Sequence, residues 1–206
     1  MVEIAPHDLL KIRTVQDLSS LQLPDWAEKV FSKSLTVVVR RAQIADDLIP
    51  VGIRGHERSQ RLASWVSLDK VVKSITPYEL VQNNAWLDLS NARKELPAVM
   101  TLEKIAPILS DFTWGISGSV GFELATKTPS AKMTSDLDLV WKPKQRINQK
   151  SAQQLLKTLN QFEVHADLQV IQGTDGFSLE EYANANSTTM VKTIKGPKLV
   201  TDPWEI

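Results

Sequence analysis

The stretch "GISGSVGFELATKTPSAKMTSDLDLVW", residues 115–141, carries the decision about fold. A short apolar strand near "WGIS" turns through Gly118-Ser119, and a helix follows over "SVGFELA". A polar loop then leads into the strand "SDLDLVW". There Asp136 and Asp138 alternate with Leu137 and Leu139, so one face is polar and the other belongs to a core. Two readings compete. Asp-x-Asp is common on exposed strand edges, and Gly-Ser before a helix is commonly an N-cap. The same residues also suit a site for phosphate and metal. Carboxylates two apart on a strand are separated by roughly 6.5 Å. Paired ions in a phosphoryl-transfer site are about 3.5–4 Å apart, so such acids can converge on one ion or bracket two. Glycine lets backbone approach a ligand, and a helix start offers N–H groups to phosphate oxygens.

A third acid turns the balance toward a site. Asp167, in "EVHADLQVI" (163–171), sits on a second alternating strand. Paired strands are about 4.8 Å apart, which would crowd three carboxylates on one face. At 4 Å two like charges repel by about 4 kcal/mol at an effective dielectric of 20. Such a cluster calls for cations or protonation, and oxygen ligation favours Mg²⁺ or Mn²⁺ over zinc. A phosphate clamp beside an acidic metal site is what nucleotidyl and phosphoryl transfer require. "SGSVG" has Ser at 117 and misses the Gly-x-Ser-x-Gly nucleophile elbow, and neither a P-loop nor a Rossmann fingerprint is present.

Downstream, "SAQQLLKTLNQF" (151–162) carries Ala152, Leu155, Leu156, Leu159 and Phe162 on one helical face. "SLEEYANA" opens with Ser178 and Glu181 at capping-box spacing, and "TTMVKTIKG" (188–196) reads as a last strand before a coiled end. Upstream, "TLEKIAPILSDF" has a helical pattern that Pro107 kinks or divides. "SLTVVVRRA" (34–42) and "IPVGIRG" (49–55) read as strands, and "ERSQRLASWVS" (57–67) as weakly helical or extended. Residues 74–86 read as loop with a short helix. The order is α+β: a β-rich subdomain over 1–85 and an α/β catalytic subdomain over 86–206.

The chain has 206 residues and no cysteine, which excludes disulfides, thiolate nucleophiles and Cys-based zinc sites. Lys plus Arg and Asp plus Glu both total 24, so the net charge is zero and argues against general nucleic-acid binding. No apolar run spans a membrane and the start has no leader pattern, so a cytoplasmic protein is expected. Arg54, Arg58 and Arg61 cluster, either as a solvated face or as an anion site. His165 stands two residues before Asp167, as a structural histidine or a partner of the acid.

Gly-Ser followed by Asp-x-Asp resembles the signature of the polymerase-β-like nucleotidyltransferase superfamily, although 16 residues separate Ser119 from Asp136 and the compact form has fewer. "GSVGFELAT", "SDLDLVW" and "ADLQV", with "PHDLL" (6–10), "VVVRRA" (37–42), "PVGIRGHERSQRLASWV" (50–66) and "KGPKLVTDPW" (195–204), resemble a more specific family over nearly the whole chain. That family is the malonate decarboxylase holo-acyl-carrier-protein synthases, or phosphoribosyl-dephospho-CoA transferases. Glycine commonly follows "FELAT" in it, where this chain has Lys127. The resemblance implies a polymerase-β-like core, a mixed sheet with flanking helices. It implies transfer of phosphoribosyl-dephospho-CoA from 2′-(5″-triphosphoribosyl)-3′-dephospho-CoA to a serine of the apo acyl-carrier subunit, with release of pyrophosphate. Asp136, Asp138 and Asp167 are then the catalytic and Mg²⁺-binding acids, with Mn²⁺ as the other candidate ion. Gly118, Ser119, Arg54, Arg61 and, more weakly, Lys192 are the donor-binding candidates. Two other classes stay open: a nucleotidyltransferase using an ordinary NTP, and a non-catalytic module of the same fold. Loss of an acid would mark the latter, and none of the three is missing.

Overall fold

In the computed structural model, residues 4–19, 22–43, 47–57 and 59–205 are described. They divide into two units, Met1–Thr76 and Pro77–Ile206. The first unit is one antiparallel sheet. Its strands are β1 (Leu9–Ile12), β2 (Thr36–Val39), β3 (Leu48–Arg54), β4 (Arg61–Ser67) and β5 (Val71–Ile75), in the spatial order β4-β3-β2-β1-β5. Alternation explains its core. Ile49, Val51 and Ile53 of β3 point to one face with Leu10, Ile12, Val37, Val39 and Val66. Ala27 and Phe31 of helix α1 (Asp25–Phe31) complete that cluster. The segment "RLASWVS", for which helix and strand were both open, is β4, because it pairs along its whole length with β3.

The second unit begins earlier than the expected boundary after residue 85. Helix α2 (Pro77–Gln82) lies against β6 (Trp114–Ile116). A Cβ added to Gly115 would sit 2.6 Å from Pro77, so glycine is what lets the backbones come so close. Residues 77–85 thereby join the second core. A 3-10 turn over Ala85–Asp88 buries Trp86, and helices α3 (Asn91–Lys94) and α4 (Pro97–Ile105) follow. Helix α4 starts on Pro97 and stops two residues short of Pro107, whose ring would clash with the preceding turn.

The six-stranded sheet has the order β11-β10-β9-β8-β7-β6. Its strands after β6 are β7 (Leu137–Trp141), β8 (Ala166–Gln172), β9 (Asp175–Ser178), β10 (Thr189–Thr193) and β11 (Gly196–Val200). Only β7 and β8 pair in parallel; the other neighbours are antiparallel. A parallel pair needs a crossover, here through helix α6 (Gln149–Leu159), capped by the Asn148 side chain on the Ser151 N–H. Helix α5 (Gly118–Thr126) joins β6 to β7, and α7 (Leu179–Asn184) joins β9 to β10. Ser178 caps α7 by accepting from the Glu181 N–H at 3.4 Å, while the Glu181 carboxylate takes the Met190 N–H at 2.6 Å. Leu137, Leu139, Ala166, Leu168, Val170 and Phe177 form the apolar face, each at most 1% exposed. The described residues thus form a mixed α+β protein with two sheets and seven α-helices. No helix among them is long and apolar enough to cross a membrane.

Candidate active site

The site grows from the junction of β6, α5 and β7. Ser117, the N-cap of α5, donates its backbone N–H to the Asp138 carbonyl at 2.9 Å, and its hydroxyl reaches the same oxygen at 3.4 Å. This ties the helix start to β7 at the acid. Gly118 follows with φ +61°, a left-handed conformation costly for any residue with a Cβ. A Cβ there would lie 2.5 Å from the Asp138 Cγ and overlap its Oδ2. Glycine is required twice, by dihedral and by space. The Asp138 carboxylate fills the volume that a side chain at 118 would occupy, beside a helix N-terminus whose first-turn N–H groups have no intrahelical acceptors.

The parallel register sets Asp138 directly opposite Asp167. Backbones of paired strands are about 4.8 Å apart, and paired residues share a face, so the two half-buried carboxylates are neighbours. Asp136 is different: β7 starts at Leu137, and Asp136 is exposed at the end of the preceding loop. Among the described residues, no three Asp, Glu or His side chains converge as a metal-holding group. The fold therefore assembles an acid pair with the third acid at its margin. The donor set is all carboxylate oxygen beside a glycine cradle, which fits Mg²⁺ or Mn²⁺ chemistry.

Ser119 is held by the loop between α5 and β7. Its hydroxyl is 3.1 Å from that of Ser135, which accepts the Lys132 N–H at 2.9 Å. The Ser119 carbonyl accepts from the Ser130 hydroxyl at 2.7 Å. Below this loop lies a pair that sequence reasoning missed. Glu123, 3% exposed, takes two 2.6 Å bonds from the Arg93 guanidinium. It also accepts the Ser130 and Ala131 N–H groups at 2.9 Å, while Arg93 donates to the Ala131 carbonyl at 2.7 Å. Burial pushes the Glu123 carboxyl up. The Arg93 fork and the two backbone donors outweigh that and hold it below its ordinary value, and Arg93 is raised in turn. One signal was available: Glu123 falls on the helix face that buries Val120 and Leu124. Its partner, 30 residues upstream, was not legible.

Lys127 closes α5 at φ +57°, donating its N–H to the Glu123 carbonyl at 2.8 Å. This left-handed position explains the glycine expected after "FELAT". Lys192 shares a sheet face with the acids, through the register partners Gln169–Ser178, Ile171–Gly176 and Gly176–Lys192. Two strands and four residues put it roughly 15 Å from Asp167, so the register does not bring it to the pair. His165 is exposed and reaches Glu180 at 3.3 Å. In the first unit, Arg54 and Arg61 are exposed and directly opposite each other on β3 and β4. Arg58 lies outside the described residues.

Comparison with known proteins gives this geometry a class and then a family. Residues 5–77 match the model of the phosphoribosyl-dephospho-CoA transferase MdcG N-terminal domain, and residues 85–203 that of the C-terminal domain. The chain is a transferase. It belongs to the phosphoribosyl-dephospho-CoA transferase family. A relative of that name from Pseudomonas fluorescens (strain Pf0-1) is 36% identical over 96% of this chain and 93% of its own length. Relatives so named from Klebsiella pneumoniae (strain 342) and Pseudomonas syringae pv. tomato are 32% and 30% identical, over 97% and 98% of this chain and 95% and 94% of theirs. No solved structure matches the chain.

Proposed function

We propose that this transferase moves phosphoribosyl-dephospho-CoA from its triphosphoribosyl donor to a serine of the apo acyl-carrier subunit of malonate decarboxylase, in the cytoplasm. The observation that carries the reading is that both units match the one family, across nearly the whole chain. The second unit is then a polymerase-β-like core. In the reaction the serine Oγ attacks the phosphorus next to the ribose. A Ser–O–P bond forms, the bond to the next phosphate breaks, pyrophosphate leaves, and the serine proton passes to a base.

The residues have distinct parts. The α5 N-terminus and the Ser119 hydroxyl bind phosphate oxygens. Asp167, opposite Asp138, orients the acceptor hydroxyl and takes or relays its proton. Asp138, Asp167 and Asp136 would hold Mg²⁺ or Mn²⁺, which when bound supplies charge neutralisation of the triphosphate and a lower pKa for the acceptor hydroxyl. Arg54 and Arg61 offer two adjacent forks to an anionic group of the donor. Lys192 is a weaker candidate for the same large molecule.

The test is to mix the protein, Mg²⁺, donor and apo-carrier and weigh the carrier. A gain of one phosphoribosyl-dephospho-CoA on a single serine, with pyrophosphate released, supports the proposal. No gain, together with nucleotide transfer from ATP to another molecule, moves the chain to an NTP-using activity.

A further inference from the structure

The strongest unassigned arrangement in the second unit is the Arg93–Glu123 pair, with the carboxylate buried and the guanidinium half-buried. Most of its bonds are spent on one loop. Of the five hydrogen bonds made by the two side chains, two join them and three grip the backbone of Ser130 and Ala131. The loop continues through Ser130, whose hydroxyl holds the Ser119 carbonyl, to Ser135, whose hydroxyl meets that of Ser119. The next residue is Asp136. An unbroken run of short contacts therefore links this ion pair to the phosphate-binding helix start and to the outermost acid. Helix α5 carries both ends, with Gly118 and Ser119 in its first turn and Glu123 one turn later.

We propose that Arg93 and Glu123 are positioning residues for the triphosphate end of the site. They touch no substrate. They fix the loop so that the Ser119–Ser135 hydroxyl pair and Asp136 stand ready before a ligand arrives. The fixed fork of arginine suits this role, since it bonds both carboxylate oxygens and still reaches a carbonyl. The inference rests on the reading that Ser119 and Asp136 serve the donor's phosphates.

The test uses Glu123→Gln and Arg93→Lys in the full chain, with three readouts. The first is amide hydrogen exchange at Ser130, Ala131 and Ser135, which should accelerate while exchange in β8 and β9 stays as in the unsubstituted protein. The second is calorimetric binding of inorganic tripolyphosphate with Mg²⁺, which should weaken by about tenfold, because misplacing a binding group by about 1 Å is felt at that scale or above. The third is transfer, where the rate at saturating carrier should fall and the KM for carrier should not change. Faster exchange with unchanged tripolyphosphate affinity would reduce the pair to a structural staple and overturn the proposal. Unchanged exchange would overturn it as well. If Glu123→Gln does not fold, Arg93→Lys keeps the charge and supplies the same readouts. Should the unsubstituted protein load no carrier, the proposed reaction fails, and the exchange and tripolyphosphate measurements still decide this inference.

Discussion

Each unit holds a pair of like charges on neighbouring strands, and the two pairs live in different surroundings. Arg54 and Arg61 face each other on an antiparallel hairpin, both exposed. Asp138 and Asp167 face each other on a parallel pair, both half-buried, with the α5 start against one of them. Water screens the arginines. A fold can carry the first arrangement at little cost. The second brings two acids together beside a helix start, the arrangement on which the proposed metal site rests. Arg93–Glu123 supplies the contrast of opposite signs, a buried carboxylate balanced by a half-buried guanidinium.

Removing one member of each pair should break this comparison apart. The largest effect is expected where charges are balanced. Arg93→Ala leaves Glu123 buried without its fork and should cost about 3–5 kcal/mol of unfolding free energy. Thermal and urea melts of the whole chain would show it, and a loss under 1 kcal/mol would mean that water replaces the guanidinium. The same pair sets an acid limit. Because the Glu123 carboxyl is held below its ordinary value when folded, its contribution is present above the unfolded value, about 4.3, and fades as pH falls through the folded one. Stability from this pair should be flat at neutral pH and lost in acid, and Glu123→Gln should flatten that slope.

Asp138→Asn comes next. Transfer should fall by about 10²–10³-fold, or roughly 3–4 kcal/mol, while the melt stays level. A variant that is less stable yet fully active would make Asp138 a structural residue only. Arg54→Ala should then weaken donor binding by roughly three- to tenfold without lowering stability, since an exposed like-charge pair is relieved. Equal donor affinity would separate the arginines from the donor. The smallest effect belongs to Lys127→Gly. Relief of the left-handed conformation should stabilise by about 0.5–1 kcal/mol in denaturant titration, set against the exposed Lys127–Asp88 contact at 3.6 Å. A loss of stability would show that the lysine side chain matters more than its backbone.

How far the sequence discloses this molecule depends on whether a signal is local. Helix α5, strands β7 and β8 and helix α6 were legible because apolar spacing and polar caps lie within each segment. Strands β5 ("VVKSI") and β11 ("GPKLV") were not, since each mixes polar residues or proline and exists through its partner. Pro197 fits β11 because that strand pairs on one side only. The Asp138–Asp167 pairing was readable as an expectation from two alternating strands. The exposure of Asp136 was not, because it depends on where pairing begins. Arg93 joins Glu123 across the core, and no periodicity announces such a contact.

The parallel pairing of β7 and β8 has a kinetic consequence. Antiparallel neighbours β8–β9 and β10–β11 close through short turns and can form early in folding. Asp138 meets Asp167 only after a crossover that includes all of α6, and such long-range strand pairing is slow. A chain emerging from the ribosome therefore carries Gly118 and Asp138 well before it carries their partner strand. Until Ala166–Gln172 docks, a nascent chain has half an acid pair and no assembled centre.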